Sequence, residues 1–193
     1  MQGIVLQLKL ANNEIINQMK DFLKDIESRF QTTDTIQQKE QLAFTTVDKG
    51  RAIALVTWLK ENAGYTSLTL LTAVDWIEDG FFQLTYLINN PEKGNELAIR
   101  VMIDRKEATM ESAHHLWENM MTYQRELKEM FGIDFPGSPR LNESFILEGW
   151  DDIPPYRRDF DTKKYSEETF FPRPGRKTND PTQYMKSKLY PKD

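Results

Sequence analysis

The sequence predicts an α+β domain, a mostly antiparallel sheet packed with helices, followed by a long extended C-terminal tail rich in proline and aromatic residues. Three observations predict it. Helical and strand-like periodicities follow one another up to about residue 131, and several strands come in succession. Eight of the nine prolines lie beyond Gly132, where they block helix interiors and central strands and so exclude a second compact domain. The same stretch carries Phe135, Phe145, Trp150, Tyr156, Phe160, Tyr165 and Phe171, whereas disordered tails are poor in aromatics. The division expected is a globular domain over residues 1–135 and a docking tail over 136–193.

Gln2–Leu8 alternates loosely, as a short strand does, and Asn12 and Asn13 offer an N-cap. Ile15, Met19, Phe22, Ile26 and Phe30 then recur at helical spacing. Gln31–Glu40 is polar and reads as a loop. Leu42, Phe44 and Thr46 alternate in a strand. Asp48 can cap a helix that buries Ala52, Leu55, Val56 and Leu59 and stops at Gly64. Three strands follow, Ser67–Asp75, Phe81–Ile88 and Glu96–Asp104, the last two joined by a turn-rich loop around Pro91 and Gly94. A long helix over Met110–Phe131, with Gly132 as its C-cap, closes the domain.

Composition excludes several functions. The net charge is −5, which provides no basic face for nucleic acid. There is no cysteine, so disulfides, thiolate-held iron–sulfur clusters and cysteine zinc sites are not expected. The apolar runs near Ala52–Leu59 and Leu68–Val74 fall far short of the roughly 18 residues a membrane span requires. The start, Met-Gln-Gly-Ile-Val, lacks the basic and apolar regions of a signal peptide, so a cytoplasmic location is expected.

Searches for catalytic machinery find none. His114 and His115 are adjacent, so on a helix they point about 100° apart and do not chelate one metal. Asp151-Asp152 and Glu167-Glu168 have no nucleophile or histidine beside them and read as solvated charge or partner ion pairs. No phosphate-cradling glycine loop and no nucleophile elbow is present. From Asp151 onward there are ten basic and eight acidic side chains, while the rest of the chain has fifteen and twenty-two. A slightly basic tail with aromatic and arginine anchors suits an interface, because these residue types dominate interface energetics. Arg157-Arg158 after Pro154-Pro155 suits bidentate pairing with carboxylates.

The run Gln124-Arg125-Glu126-Leu127-Lys128-Glu129-Met130-Phe131-Gly132-Ile133-Asp134-Phe135-Pro136-Gly137-Ser138-Pro139-Arg140-Leu141 resembles a family pattern, E-R-E-x-x-D-M-F-G-I-x-F-x-G-H-P-x-L. Pro155-Tyr156-Arg157-Arg158-Asp159-Phe160 stands where that family has P-L-R-K-D-F, and Leu71-Thr72-Ala73-Val74-Asp75 is similar to its L-T-A-V-D strand end. The family is that of the 30 kDa, C-type subunit of proton-pumping NADH–quinone oxidoreductase, respiratory complex I, and the resemblance spans roughly Thr66–Phe160. It implies an α+β domain with an extended C-terminal segment that binds no cofactor itself. NADH, quinone and iron–sulfur clusters are held by other subunits of such a complex. It also implies docking onto the large, D-type quinone-site subunit and the small, B-type iron–sulfur subunit, at the cytoplasmic side of the cell membrane, as a peripheral subunit. The partner contacts it implies are Arg125, Glu126, Phe131, Gly132, Phe135, Gly137, Pro139, Pro155, Arg157, Asp159 and Phe160, with Glu129 and Arg158 as charge-preserving variants. Departures are Gln124 for glutamate, Ser138 for histidine, and Asn142-Glu143-Ser144 where an arginine-rich stretch is expected.

The function expected is therefore that of a subunit without an active site of its own. An equivalent subunit of a membrane-bound [NiFe] hydrogenase or ferredoxin-linked relative is the alternative within the class. A stand-alone soluble enzyme with an unrecognised site, or a peptide-binding adaptor, is the alternative outside it.

Overall fold

The structure, a computed structural model, describes residues 18–170. The strand read at Gln2–Leu8, the caps Asn12 and Asn13, and residues 171–193 of the tail lie outside the described residues. In chain order the elements are α1 (18–30), β1 (Thr33–Lys39), β2 (Leu42–Val47), α2 (Lys49–Asn62), β3 (Ser67–Trp76), β4 (Phe81–Asn90), β5 (Asn95–Asp104), α3 (Met120–Phe131) and α4 (Thr162–Phe170).

The five strands form one sheet in the order β1-β2-β5-β4-β3. Every pairing is antiparallel except β2 with β5. That parallel pair follows from the connections. β2 runs into α2, which Asp48 caps by accepting from the Gly50 amide at 2.8 Å, and α2 carries the chain across the sheet to the far edge. There β3, β4 and β5 turn back as a meander that ends beside β2. The fold class is as the sequence predicts.

Register sorts the side chains. Ile88 pairs with Leu97, Tyr86 with Ile99, Leu84 with Val101, and Phe82 with Ile103, and all eight are buried. This inner face continues through Leu68, Leu71 and Ala73 of β3 and Ala43 and Val47 of β2. The helices cover it with Met19, Leu23 and Ile26 of α1, Leu55, Val56 and Leu59 of α2, and Met120, Leu127 and Met130 of α3. The outer face keeps the alternate residues, among them Leu70, Val74, Trp76 and Met102, which are exposed.

Three segments differ from the sequence reading. Residues 33–39, read as loop, form an edge strand. Only Ile36 is apolar there, but β2 supplies backbone partners and the Thr35 and Thr45 hydroxyls bond at 2.9 Å; a polar edge strand is what keeps a sheet from pairing with other chains. The helix read from Met110 begins only at Met120. Met110, Ala113, Leu116 and Trp117 have helical spacing and are buried, but the backbone there is held elsewhere. The Met110 amide donates to the Asp134 carbonyl at 2.8 Å. Trp117 Nε1 and Asn119 Nδ2 donate to the Thr66 and Leu68 carbonyls on the open edge of β3. Finally, Thr162–Phe170 is helical where extended chain is expected. No proline falls between Pro155 and Pro172, and Asp161 caps this turn by accepting from the Lys164 amide at 2.9 Å.

Candidate functional site: the motif helix and the folded-back tail

Helix α3 carries the motif. Met120, Gln124, Leu127, Met130 and Phe131 form its buried face. It ends at Gly132, whose φ of 75° places it in the left-handed region and whose amide bonds back to Lys128. Only glycine takes this conformation without strain. A second constraint adds to it, since a β-carbon here would meet Pro154 Cγ at 3.3 Å. Gly132→Ala is expected to cost about 1–2 kcal/mol, measured by urea unfolding.

Glu129 faces the tail. Its carboxylate accepts from three successive amides, Phe145 at 2.6 Å, Ile146 at 2.8 Å and Leu147 at 2.9 Å. Burial raises the Glu129 pKa, but these amides and the Arg125 charge together hold it below its ordinary value. Arg125 lies over the Phe145 ring at 5.6 Å, and its Nε is buried without a partner. Between α3 and residues 141–154 lies a groove of about 310 Å³, lined by Arg125, Lys128, Glu129, Leu147 and Trp150.

The second half of the motif closes over the end of the sheet. The Tyr156 amide donates to the Met130 carbonyl at 2.9 Å. The rings of Tyr156, Phe131 and Phe82 stack edge to face in sequence. Arg157 lies over Phe82 and donates to the Arg105 carbonyl at 3.2 Å.

The centre of this clasp is Asp75, the buried last polar residue of β3. Arg105 grips it with Nε at 2.8 Å and Nη2 at 3.1 Å. The Arg158 amide donates to it at 2.9 Å. The same Arg105 Nη2 reaches Asp159 at 2.7 Å, and the Arg158 side chain pairs with Glu78. Burial raises the Asp75 pKa, but the Arg105 and Arg158 hydrogen bonds and the charges of Arg105 and Arg157 outweigh it and lower the value. Beyond the clasp, Phe160 packs with Trp150 and Tyr165, and Trp150 with Tyr165.

The residues singled out in the sequence thus divide. Glu129, Phe131, Gly132, Phe135, Arg157 and Asp159 make contacts within the chain, and Phe135 is fully buried. Glu126 and Pro155 are half-buried, while Gly137, Pro139 and Arg158 are exposed. Asp75, Arg105 and Glu78 were missed as site residues. The available signal was an aspartate ending an otherwise apolar strand. His114 does not meet a metal cluster: its Nδ1 lies 3.1 Å from the Ser112 hydroxyl, which donates to Gln124 Oε1. No group of three or more metal-ligating side chains occurs among the described residues, and no described helix is long and apolar enough to cross a membrane.

The described residues thus form an α+β domain that holds its own C-terminal segment through arginine–aspartate pairs. Residues 45–166 match the model of one family, the respiratory-chain NADH dehydrogenase 30 kDa subunit. The chain belongs to that family. The C-type subunit of the NADH-quinone oxidoreductase of Moorella thermoacetica is 28% identical over 142 residues, covering 74% of this chain and 95% of that protein. The corresponding C-type subunit of Rhizobium rhizogenes is 26% identical over 80% of this chain and 77% of its own length. A fused C/D-type NADH-quinone oxidoreductase subunit of Pseudomonas fluorescens is 32% identical over 79 residues, 41% of this chain and 13% of that longer protein. Two solved structures share the fold. A chain of the membrane-bound sulfane sulfur reductase, an archaeal respiratory membrane complex, superposes with a TM-score of 0.68 at 24% identity, covering 79% of this chain and 91% of that one. A trypsin-resistant fragment of Nqo5 superposes with a TM-score of 0.54 at 16% identity, covering 63% and 97%.

Proposed function

We propose that this chain is a non-catalytic, cofactor-free subunit of the peripheral arm of a proton-pumping NADH–quinone oxidoreductase. It docks the large quinone-site subunit and the small iron–sulfur subunit on the cytoplasmic side of the membrane, and its contribution to electron transfer is positional. The observation that carries this reading is the family match across residues 45–166, which includes both halves of the motif. The fused C/D-type relatives support association with a D-type partner.

The clasp fits the role. Arg157 and Asp159 fix the path of the tail over the domain, and that path places Arg158, Tyr156 and Ile153 outward, all exposed. Partner contacts then fall to the outward residues and to the flanks of the groove beside α3. Accordingly, Arg157→Ala should destabilise the isolated chain by about 1–2 kcal/mol. Arg158→Ala should leave it nearly unchanged and weaken assembly instead. Thermal midpoints of the free variants, compared with their incorporation into the complex, separate the two.

A second reading within the class, a subunit of a hydrogenase-type or ferredoxin-linked complex, is favoured by one observation. Asn142-Glu143-Ser144 replaces the arginine-rich stretch, and Glu143 pairs with Arg140 at 2.6 Å, leaving a different charge beside the groove. Membranes lacking the chain should lose quinone reduction with the electron donor of the true complex. The recombinant chain should turn over nothing by itself. A recombinant chain that oxidises NADH or reduces a quinone alone would reassign it to the stand-alone enzymes.

A further inference from the structure

The outer face of the sheet has a composition that water does not explain. Each strand contributes apolar side chains to it, among them Ile36 from β1, Phe44 from β2, Met102 from β5, Phe81 from β4, and Val74 and Trp76 from β3. Ile36 is 55% exposed, Val74 43% and Trp76 41%. An antiparallel sheet with one wet face alternates apolar and polar residues, whereas strands covered on both faces read as continuous apolar runs. Here polar residues do occupy outer positions, Thr72, Gln83, Thr85 and Asn89 among them, but Ile36, Leu70, Val74, Trp76 and Met102 stand open to water beside them, five of the nine exposed large hydrophobic side chains among the described residues.

A cation stands near the middle of this face, with Lys39, Glu96 and Asp104 towards its ends. Arg100 of β5, opposite Thr85 and Thr46 in register, lies over the Phe44 ring at 4.6 Å. It makes no ion pair among the described residues, whereas Arg105, at the end of the same strand, is fully paired around Asp75. At about 4.8 Å spacing, the three ten-residue strands β3 to β5 and the shorter β1 and β2 give a face of roughly 700 Å². A standard specific interface takes about 800 Å² from each partner.

We infer that this outer sheet face seats the large, D-type subunit, through an apolar surface of that partner carrying a carboxylate opposite Arg100. The inference rests on the function proposed above and deepens it. The C/D-type fusions select the large subunit over the small one: a domain tethered to this one in a single polypeptide stays at high effective concentration beside it, and this is the covering the face lacks.

The test uses the full-length chain and the large subunit encoded with it, co-expressed. Capture of the large subunit and hydroxyl-radical oxidation of Met102 and Trp76 are both read. In the complex, both side chains should oxidise at least several-fold more slowly than in the free chain. Val74→Asp with Met102→Glu should weaken capture roughly a hundredfold, because it places charge in an apolar contact, and Arg100→Ala roughly tenfold. The free variants should keep the parent thermal midpoint, since Val74 and Met102 are exposed. Capture unchanged by these variants, or Met102 and Trp76 equally reactive in the complex, overturns the inference while leaving the proposed function standing. Slow oxidation already in the free chain, relieved by removing residues 171–193 or by dilution, assigns the face to the chain's own tail or a second copy and also overturns it. Failure of the unaltered chain to capture the large subunit overturns the proposed function itself.

Discussion

Replacing Asp75 by alanine is expected to open the clasp and cost about 3–5 kcal/mol of stability, the typical effect of leaving a buried ion-pair partner uncompensated. The carboxylate is almost wholly buried, and three donors converge on it, two from Arg105 and one from the Arg158 amide. Without it, Arg105 keeps only the half-exposed Asp159 as an ion-pair partner, beside its place over the Phe82 ring, and the Arg158 amide loses its acceptor. Trypsin should then cut after Arg157 and Arg158, sites held against the sheet in the parent chain. Asp75→Asn keeps the shape and one acceptor, so it should cost about half as much. Urea midpoints and the tryptic time course check both. Unchanged cleavage at Arg157 and Arg158 in Asp75→Ala would show that the aromatic contacts alone hold the tail.

The second large effect is expected at Glu129. Glu129→Ala removes a charged acceptor from three amides at once. Hydrogen bonds to charged groups contribute about 1.5–3 kcal/mol each, and water replaces part of this in a half-exposed loop, so the loss should be about 2–4 kcal/mol. Amide exchange at Phe145, Ile146 and Leu147 should accelerate in step. Glu129→Asp should retain much of the cap, because only one methylene separates the two. Glu129 and Asp75 act in the same direction with pH. Both have folded pKa values below their ordinary ones, so the stability they contribute is complete above the ordinary carboxylate pKa of about 4 and is lost as pH falls through the lowered folded values. The tail should therefore loosen in acid, below about pH 4, and not between pH 5 and 8. Trp150 fluorescence, followed from pH 7 to pH 3, reports this directly.

The sequence was informative where local chemistry decides the structure. Asp48 capping α2, Gly132 ending α3, and the apolar runs of β3 to β5 are all written in residues within a few positions of one another. It was uninformative where partners are distant. Residues 33–39 look polar and loop-like because the reason they are a strand is β2. Residues 110–119 look helical because their apolar spacing imitates a helix, while their hydrogen bonds go to Asp134, Thr66 and Leu68. The motif itself was visible, but the division of labour within it was not. Arg157 reads as a partner anchor from residue type and Asp159 from the family resemblance, and only the folded arrangement brings them to Arg105 and Phe82, more than fifty residues away. Asp75 is marked locally only as an aspartate ending an apolar strand, and its role stays hidden because its three donors come from the end of β5 and the tail. The tail's helix was hidden by the prolines around it, although the segment from Thr162 to Phe170 contains none.

The central claim is that the chain acts by docking, and a tagged pull-down from gently solubilised native membranes tests it most directly, with mass spectrometry of what accompanies the chain. The account predicts stoichiometric recovery of a large quinone-site or hydrogenase-like subunit together with a small iron–sulfur subunit, with the remaining partners identifying the electron donor. Recovery of the chain alone, from the soluble fraction, would contradict it.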